Sequence, residues 1–171
     1  MKLFKDINKD LSALKVKYGL SYFMAIISNR GFHSLFFYRV SHALWNLKIP
    51  ILPLILTRFV QVMYAIDIDY KSKLEGGIII IHGVGIVVGY KAYISEGTII
   101  YQQVTLGEKG SRFNDGHPFI GKNVILGAGS KLLGGIKIGD NSIIGPNVVL
   151  LDSVDEKTIV KVMPNQIKKR K

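Results

Sequence analysis

The chain of 171 residues contains no cysteine. That absence excludes disulfide staples, thiolate nucleophiles and cysteine-ligated zinc. Acidic residues are scarce, 12 against 23 lysines and arginines, which leaves a net charge of +11. An unbroken apolar run is missing as well. The greasiest stretch, Ala43 to Ile66, is interrupted by Lys48, Pro50, Pro53, Arg58 and Gln61, whereas a membrane-spanning helix needs about 20 apolar residues in succession. The opening MKLFKDINKDL lacks an apolar core followed by small residues, so no secretory signal is expected. Positive charge gathers at the ends, in Lys2, Lys5, Lys9, Lys15 and Lys17, then Lys157, Lys161 and Lys168 to Lys171. No nucleic-acid motif or stripe of stacking aromatics accompanies it, and nucleic acid is not an expected partner.

With 48% hydrophobic residues the chain has enough apolar side chains to bury a core. Residues 1–65 read as a helical subdomain. Ile7, Leu11 and Leu14 recur at helical spacing, and Leu35, Phe36, Val40 and Leu44 repeat the pattern from Phe32 to Leu47. Asn29-Arg-Gly31 marks a break between them. Pro50 and Pro53 end the second helix, and a third runs from about Leu54 to Ala65.

After Asp67 the texture changes. Val88, Ile94, Ile100 and Leu106 stand at six-residue steps, and the series resumes through Ile120, Leu126, Leu132, Ile138, Ile144 and Leu150. Glycine follows six of these ten, at Gly89, Gly107, Gly121, Gly127, Gly139 and Gly145. A period of six suits a parallel β-helix with three flat faces per coil, each aliphatic pointing inward and small residues allowing tight corners. The β-helix is expected over 66–155, with a C-terminal strand and basic tail over 156–171.

The register fails twice. Ile80 and Val88 are eight residues apart, with His82 between them; Leu106 and Ile120 are fourteen apart, with His117 in the loop. Insertions in a solenoid are pushed outward and often build its binding face. Two of the four histidines therefore lie where chemistry is expected. Asp67 stands fifteen residues before His82, a little short of one coil of about eighteen residues. A carboxylate there is expected within hydrogen-bond reach of the imidazole, holding its tautomer and stabilising its protonated form; a simple corner residue is the alternative. The chain has no thiol to carry an acyl group and no Gly-x-Ser-x-Gly elbow.

These features resemble the left-handed β-helix acyltransferases, and within them the serine acetyltransferase family. The matching segments are Gly31 to Trp45, Asp67-Ile-Asp, Ile81 to Gly89, Gln103-Val-Thr-Leu-Gly107, Asp115-Gly-His-Pro118 and Ile125 to Gly129. The resemblance implies that His82 is the general base for direct attack of an acceptor hydroxyl on acetyl-CoA, and that Asp67 is its paired carboxylate. It makes His117 the second active-site histidine, and lines the pantetheine groove with Gly107, Gly127, Ala128 and Pro146. It further implies a homotrimer with each active site between two subunits, and no metal.

Three departures bear on the acceptor. Gly116 stands where the family has an arginine for the carboxylate of serine, and a glycine cannot form that bidentate pair. Arg112 and Asp115 are the remaining loop candidates for holding the acceptor. Ile81 replaces an aspartate, and Leu14 to Tyr18 contain no acid to bind an amino group. The expected function is thus an acetyl-CoA-dependent O-acetyltransferase acting on a neutral hydroxyl, a sugar of a surface polysaccharide or its precursor. The alternatives are serine O-acetyltransferase and, more remotely, a non-catalytic trimeric scaffold. The short helical part and the Lys-Lys-Arg-Lys ending argue against a cysteine synthase complex. A cytoplasmic protein is expected, with Ile49 to Ile66 and the basic ends suited to peripheral contact with the inner face of the membrane.

Overall fold

A computed structural model describes residues 2–110 and 116–162. Four helices precede fourteen short strands: α1 (Lys2–Tyr18), α2 (Tyr22–Ser28), α3 (Arg30–Asn46) and α4 (Leu52–Tyr64), then β1 (Asp67–Ile68) to β14 (Ile159–Val160). All strand pairs are parallel and form three sheets. Sheet A runs β1-β4-β7-β10-β13, sheet B β2-β5-β8-β11, and sheet C β3-β6-β9-β12-β14. Each coil contributes one strand to each sheet, the arrangement expected of a three-faced β-helix. The last strand, β14, pairs with β12, so sheet C continues to Val160.

The six-residue aliphatics form three inward columns. Ile68, Val88, Leu106, Leu132 and Leu150 align across sheet A. Leu74, Ile94, Ile120 and Ile138 align across sheet B, and Ile80, Ile100, Leu126, Ile144 and Val160 across sheet C. A second buried series lies two positions earlier, at Ile66, Ile78, Ile86, Val104, Val124 and Ile136. Both series belong to one core cluster, and each such side chain is worth about 1.5–3 kcal/mol when fully buried.

The helical part differs in detail from its sequence pattern. Ile7, Leu11 and Leu14 do face the core, but α2 is an additional helix, capped by Ser21, whose Oγ accepts from the Met24 N–H at 3.2 Å. Asn29 ends α2 and caps α3 by accepting from the Phe32 N–H at 2.8 Å. Gly31 therefore lies inside α3, not at a break. A Cβ there would overlap the Ile80 carbonyl, so glycine lets α3 sit directly on β3. Pro53 belongs to the first turn of α4, where its missing N–H costs nothing.

One buried ion pair joins the two halves. Arg39 donates from Nε and Nη2 to the Asp10 carboxylate at 3.1 and 3.2 Å, and from Nη2 to the Glu75 carbonyl at 2.6 Å. Asp10 also accepts the Gly77 and Ile78 N–H groups at 2.8 and 3.1 Å. Alongside, the Tyr38 hydroxyl donates to the Ser72 carbonyl at 2.8 Å and accepts the Leu74 N–H at 3.1 Å. α1, α3 and the first coil are thereby tied by polar groups that have no water to fall back on.

Candidate active site

Sheet A has two edges, and the interrupted repeats lie on both. The chain enters each of its strands from sheet C and leaves toward sheet B. His82 occupies the entering corner before β4 (Val87–Val88), and His117 the long exit between β7 (Thr105–Gly107) and β8 (Phe119–Ile120).

The two extra residues before β4 fold into a left-handed corner. His82 has φ 61°, Gly83 75° and Gly85 77°, a region that a histidine enters more readily than a branched residue but still at a cost. Gly83 leaves no room for a side chain, since a Cβ would stand 2.5 Å from Ile66 Cδ1. The Gly85 N–H donates to the Ala65 carbonyl at 2.7 Å, which pins the insertion to the end of α4. His82 is exposed on this corner. Asp67 opens β1 on the same edge, opposite Val87. Among the described residues no hydrogen bond or ion pair joins Asp67 to His82, contrary to the spacing argument. The Asp67 backbone is held on the strand ladder, its N–H donating to the Ile86 carbonyl at 2.9 Å, while the histidine stands out on its turn.

His117 has the opposite character. Its side chain is 4% exposed and lies over Gly89, where a Cβ would overlap Nε2 and Cδ2. Tyr90 meets the imidazole edge-on, with centroids 4.8 Å apart. Glu108 Oε1 is 3.7 Å from Nδ1, too far for a hydrogen bond, and buried Nδ1 has no hydrogen-bond partner among the described residues. Burial holds the imidazole below the ordinary histidine range and Lys91 adds to this, while Glu108 and Asp69 oppose it. Burial thus favours the uncharged form of the ring.

The expected groove residues divide between the same two edges. Gly107 ends β7 on the His117 side, with open space where a side chain would be; the nearest atom, Leu133 Cδ2, is 3.6 Å from a built Cβ. Gly127, Ala128 and Pro146 lie on the His82 side, at the corners leading into β10 (Lys131–Leu133) and β13 (Val149–Leu150). Gly127 is glycine for a reason other than ligand access: a Cβ would stand 2.7 Å from Gly145 C, Ile144 O and Pro146 N in the next coil. Ala128 accepts the Asn147 N–H at 2.8 Å, joining the same two coils. Gly116 has φ 74°, and a Cβ there would lie 3.0 Å from Gly135 Cα, so this backbone does not suit an arginine. Arg112 and Asp115 fall outside the described residues.

Within one chain, then, His82 and His117 do not meet. Sequence reasoning singled out both histidines but not the surroundings of His117: Asp69, Tyr90 and Glu108 were unmarked, and Gly89 appeared only as one repeat glycine among six. Its position directly after Val88, one coil before the His117 loop, was the available signal. The Asp10–Arg39 pair had no sequence signal, because its partners are 29 residues apart on different helices.

A family model of bacterial transferase hexapeptide repeats (six repeats) matches residues 117–152. The serine acetyltransferase of Escherichia coli is 40% identical over 138 residues, covering 81% of this chain and 50% of that protein. Among solved structures, a serine acetyltransferase in complex with cysteine superposes with TM-score 0.88 at 32% identity, covering 98% of this chain and 70% of the other. A serine acetyltransferase in complex with CoA gives 0.85 at 33% identity, covering 92% and 66%. The chain spans about half the length of the curated relatives it matches.

Proposed function

The chain belongs to the serine acetyltransferase family of left-handed β-helix proteins, and on that premise we propose that it transfers an acetyl group from acetyl-CoA to an acceptor hydroxyl. The observation that carries the reading is the pair of half-sites on opposite edges of sheet A. A ring of three copies is closed by heterologous contacts, which set one edge of each copy against the other edge of its neighbour. In such a homotrimer His82 of one copy faces His117 of the next, with the groove residues of both edges between them. The site is complete only between subunits.

His82, exposed on its strained corner, removes the proton of the acceptor hydroxyl as that oxygen attacks the thioester carbonyl. The tetrahedral oxyanion collapses, the carbon–sulfur bond breaks, and the imidazolium returns its proton to the leaving thiolate of CoA. Asp67, on the edge that carries His82, offsets the charge of the imidazolium. His117 lines the opposite wall of the site, where its ring shapes the space for the acceptor. Backbone N–H groups near Gly107 are the donors for the oxyanion. General-base catalysis of this kind is worth about 10²–10⁴-fold, and the orientation of two bound substrates supplies much of the rest.

The names of the relatives support L-serine as the acceptor. A second reading, a neutral hydroxyl such as that of a glycan sugar, is favoured by one specific observation. Gly116 and Ile81 stand where the family pattern has charged residues, the stretch Leu14 to Tyr18 holds no acid, and the left-handed backbone at Gly116 does not suit an arginine. Thiol release from acetyl-CoA, with L-serine in one assay and a panel of sugars and nucleotide sugars in others, separates the two. Turnover on serine supports the first reading, turnover on a sugar alone the second. Silence on every hydroxyl, with acetyl-CoA bound, overturns acetyl transfer.

A further inference from the structure

From Leu11 to Ile66 the chain carries no aspartate or glutamate; its charges there are Lys15, Lys17, Arg30, Arg39, Lys48 and Arg58. Arg39 is taken up by Asp10. The other five are exposed. Over the same stretch large apolar side chains face water: Phe23 and Ile27 on α2, and Ile55, Phe59, Val62 and Met63 on α4, with Val62 85% exposed and Phe23 70%.

α2 and α4 both pack against α3. His33 on α3 has Nε2 2.6 Å from the Ile26 carbonyl of α2 and Nδ1 3.1 Å from the Tyr64 hydroxyl of α4, so both helices lean on a single imidazole. The rings of Phe36, Phe37 and Phe59 continue the contact from α3 to α4, at centroid distances of 5.7 and 5.2 Å. Large apolar side chains exposed together on helices that share one neighbour mark an interaction site.

We propose that the α2–α4 face docks in the plane of an anionic phospholipid surface. Its apolar side chains enter the boundary between headgroups and acyl chains, and the ring of lysines and arginines, undiluted by any acid, meets the phosphates. Charge complementarity selects this occupant over a two-fold contact of the face with itself, which would set cations against cations. No described helix is long and apolar enough to cross a membrane, so the contact is interfacial. α4 also ends at Ala65, whose carbonyl holds the His82 corner. Docking therefore fixes that edge of the solenoid close to the surface.

The test is sedimentation of the full chain with vesicles of phosphatidylcholine alone or mixed equally with phosphatidylglycerol. Binding to the anionic vesicles is expected to be roughly tenfold tighter than to neutral ones, and to weaken with salt. Ile55→Glu/Val62→Glu should abolish it at unchanged melting temperature and oligomer mass, and Lys48→Glu/Arg58→Glu should erase the preference for anionic lipid. Equal or absent binding to both vesicle types overturns the proposal. So does a fall in oligomer mass in the Ile55→Glu/Val62→Glu variant, which would mean that a second copy covers the face. Thiol release from acetyl-CoA by the soluble variants reports on acetyl transfer separately, because none of the four residues is in the proposed active site.

Discussion

The two edges of sheet A are built from the same hexapeptide coils, yet they hold their histidines in opposite ways. On the entering edge a two-residue insertion puts His82 on an exposed left-handed corner. On the leaving edge a longer insertion lays His117 over Gly89, buried and, among the described residues, with no partner for Nδ1. A solenoid offers every coil the same scaffold, so differences between edges come from what each insertion is packed against. One edge presents its imidazole to solvent, the other packs its imidazole against a glycine. Under the proposed trimer the two edges are halves of one site.

The largest effect should come from separating the edges. His82→Ala is expected to lower turnover by at least about a hundredfold with acetyl-CoA affinity nearly unchanged; titration of acetyl-CoA beside thiol-release kinetics decides this, and a collapse of affinity would reassign the residue. Mixing His82→Ala with His117→Ala chains under subunit exchange should then restore about a quarter of the wild-type rate, since one interface in four regains both histidines. If mixtures stay as inactive as either parent, the site is not shared.

Next is the junction beneath the site. Asp10→Asn leaves Arg39 buried without its counter-charge and should cost about 3–5 kcal/mol of stability, measured by urea unfolding. Because the pair ties α1 and α3 to the first coil, the helical part should loosen first, seen as earlier hydrogen exchange there than in later coils.

Gly89→Ala acts on the leaving edge alone. Its methyl displaces the His117 ring, and turnover should fall about tenfold with the melting temperature little changed, while the His82 edge is untouched. The smallest effect concerns pH. Burial lowers the His117 pKa below its ordinary value of 6.5, so the unfolded chain binds this proton more readily than the folded one. The stability linked to the neutral ring is fully present above 6.5 and is lost as pH falls through that value toward the lower folded pKa. In His117→Gln this part of the acid dependence should vanish from the melting curve.

The repeat, its three faces, the two register failures and the histidines within them were legible in the residues, because a six-residue period of aliphatics leaves few other ways to bury them. So were Gly116 and Ile81 in place of charged residues, and the lack of an acid from Leu14 to Tyr18. The absence of an Asp67–His82 hydrogen bond, the Gly89 cradle, the packing role of Gly127 and the Asp10–Arg39 pair emerged only in three dimensions. Each depends on which atoms of distant coils or helices come within a few ångströms, and spacing along a chain carries no such distances. The sequence by itself determined the kind of solenoid and where its regularity breaks. Tertiary structure alone decided that the breaks fall on opposite edges, because the phase of each insertion around the coil, not its place along the chain, sets the direction it faces.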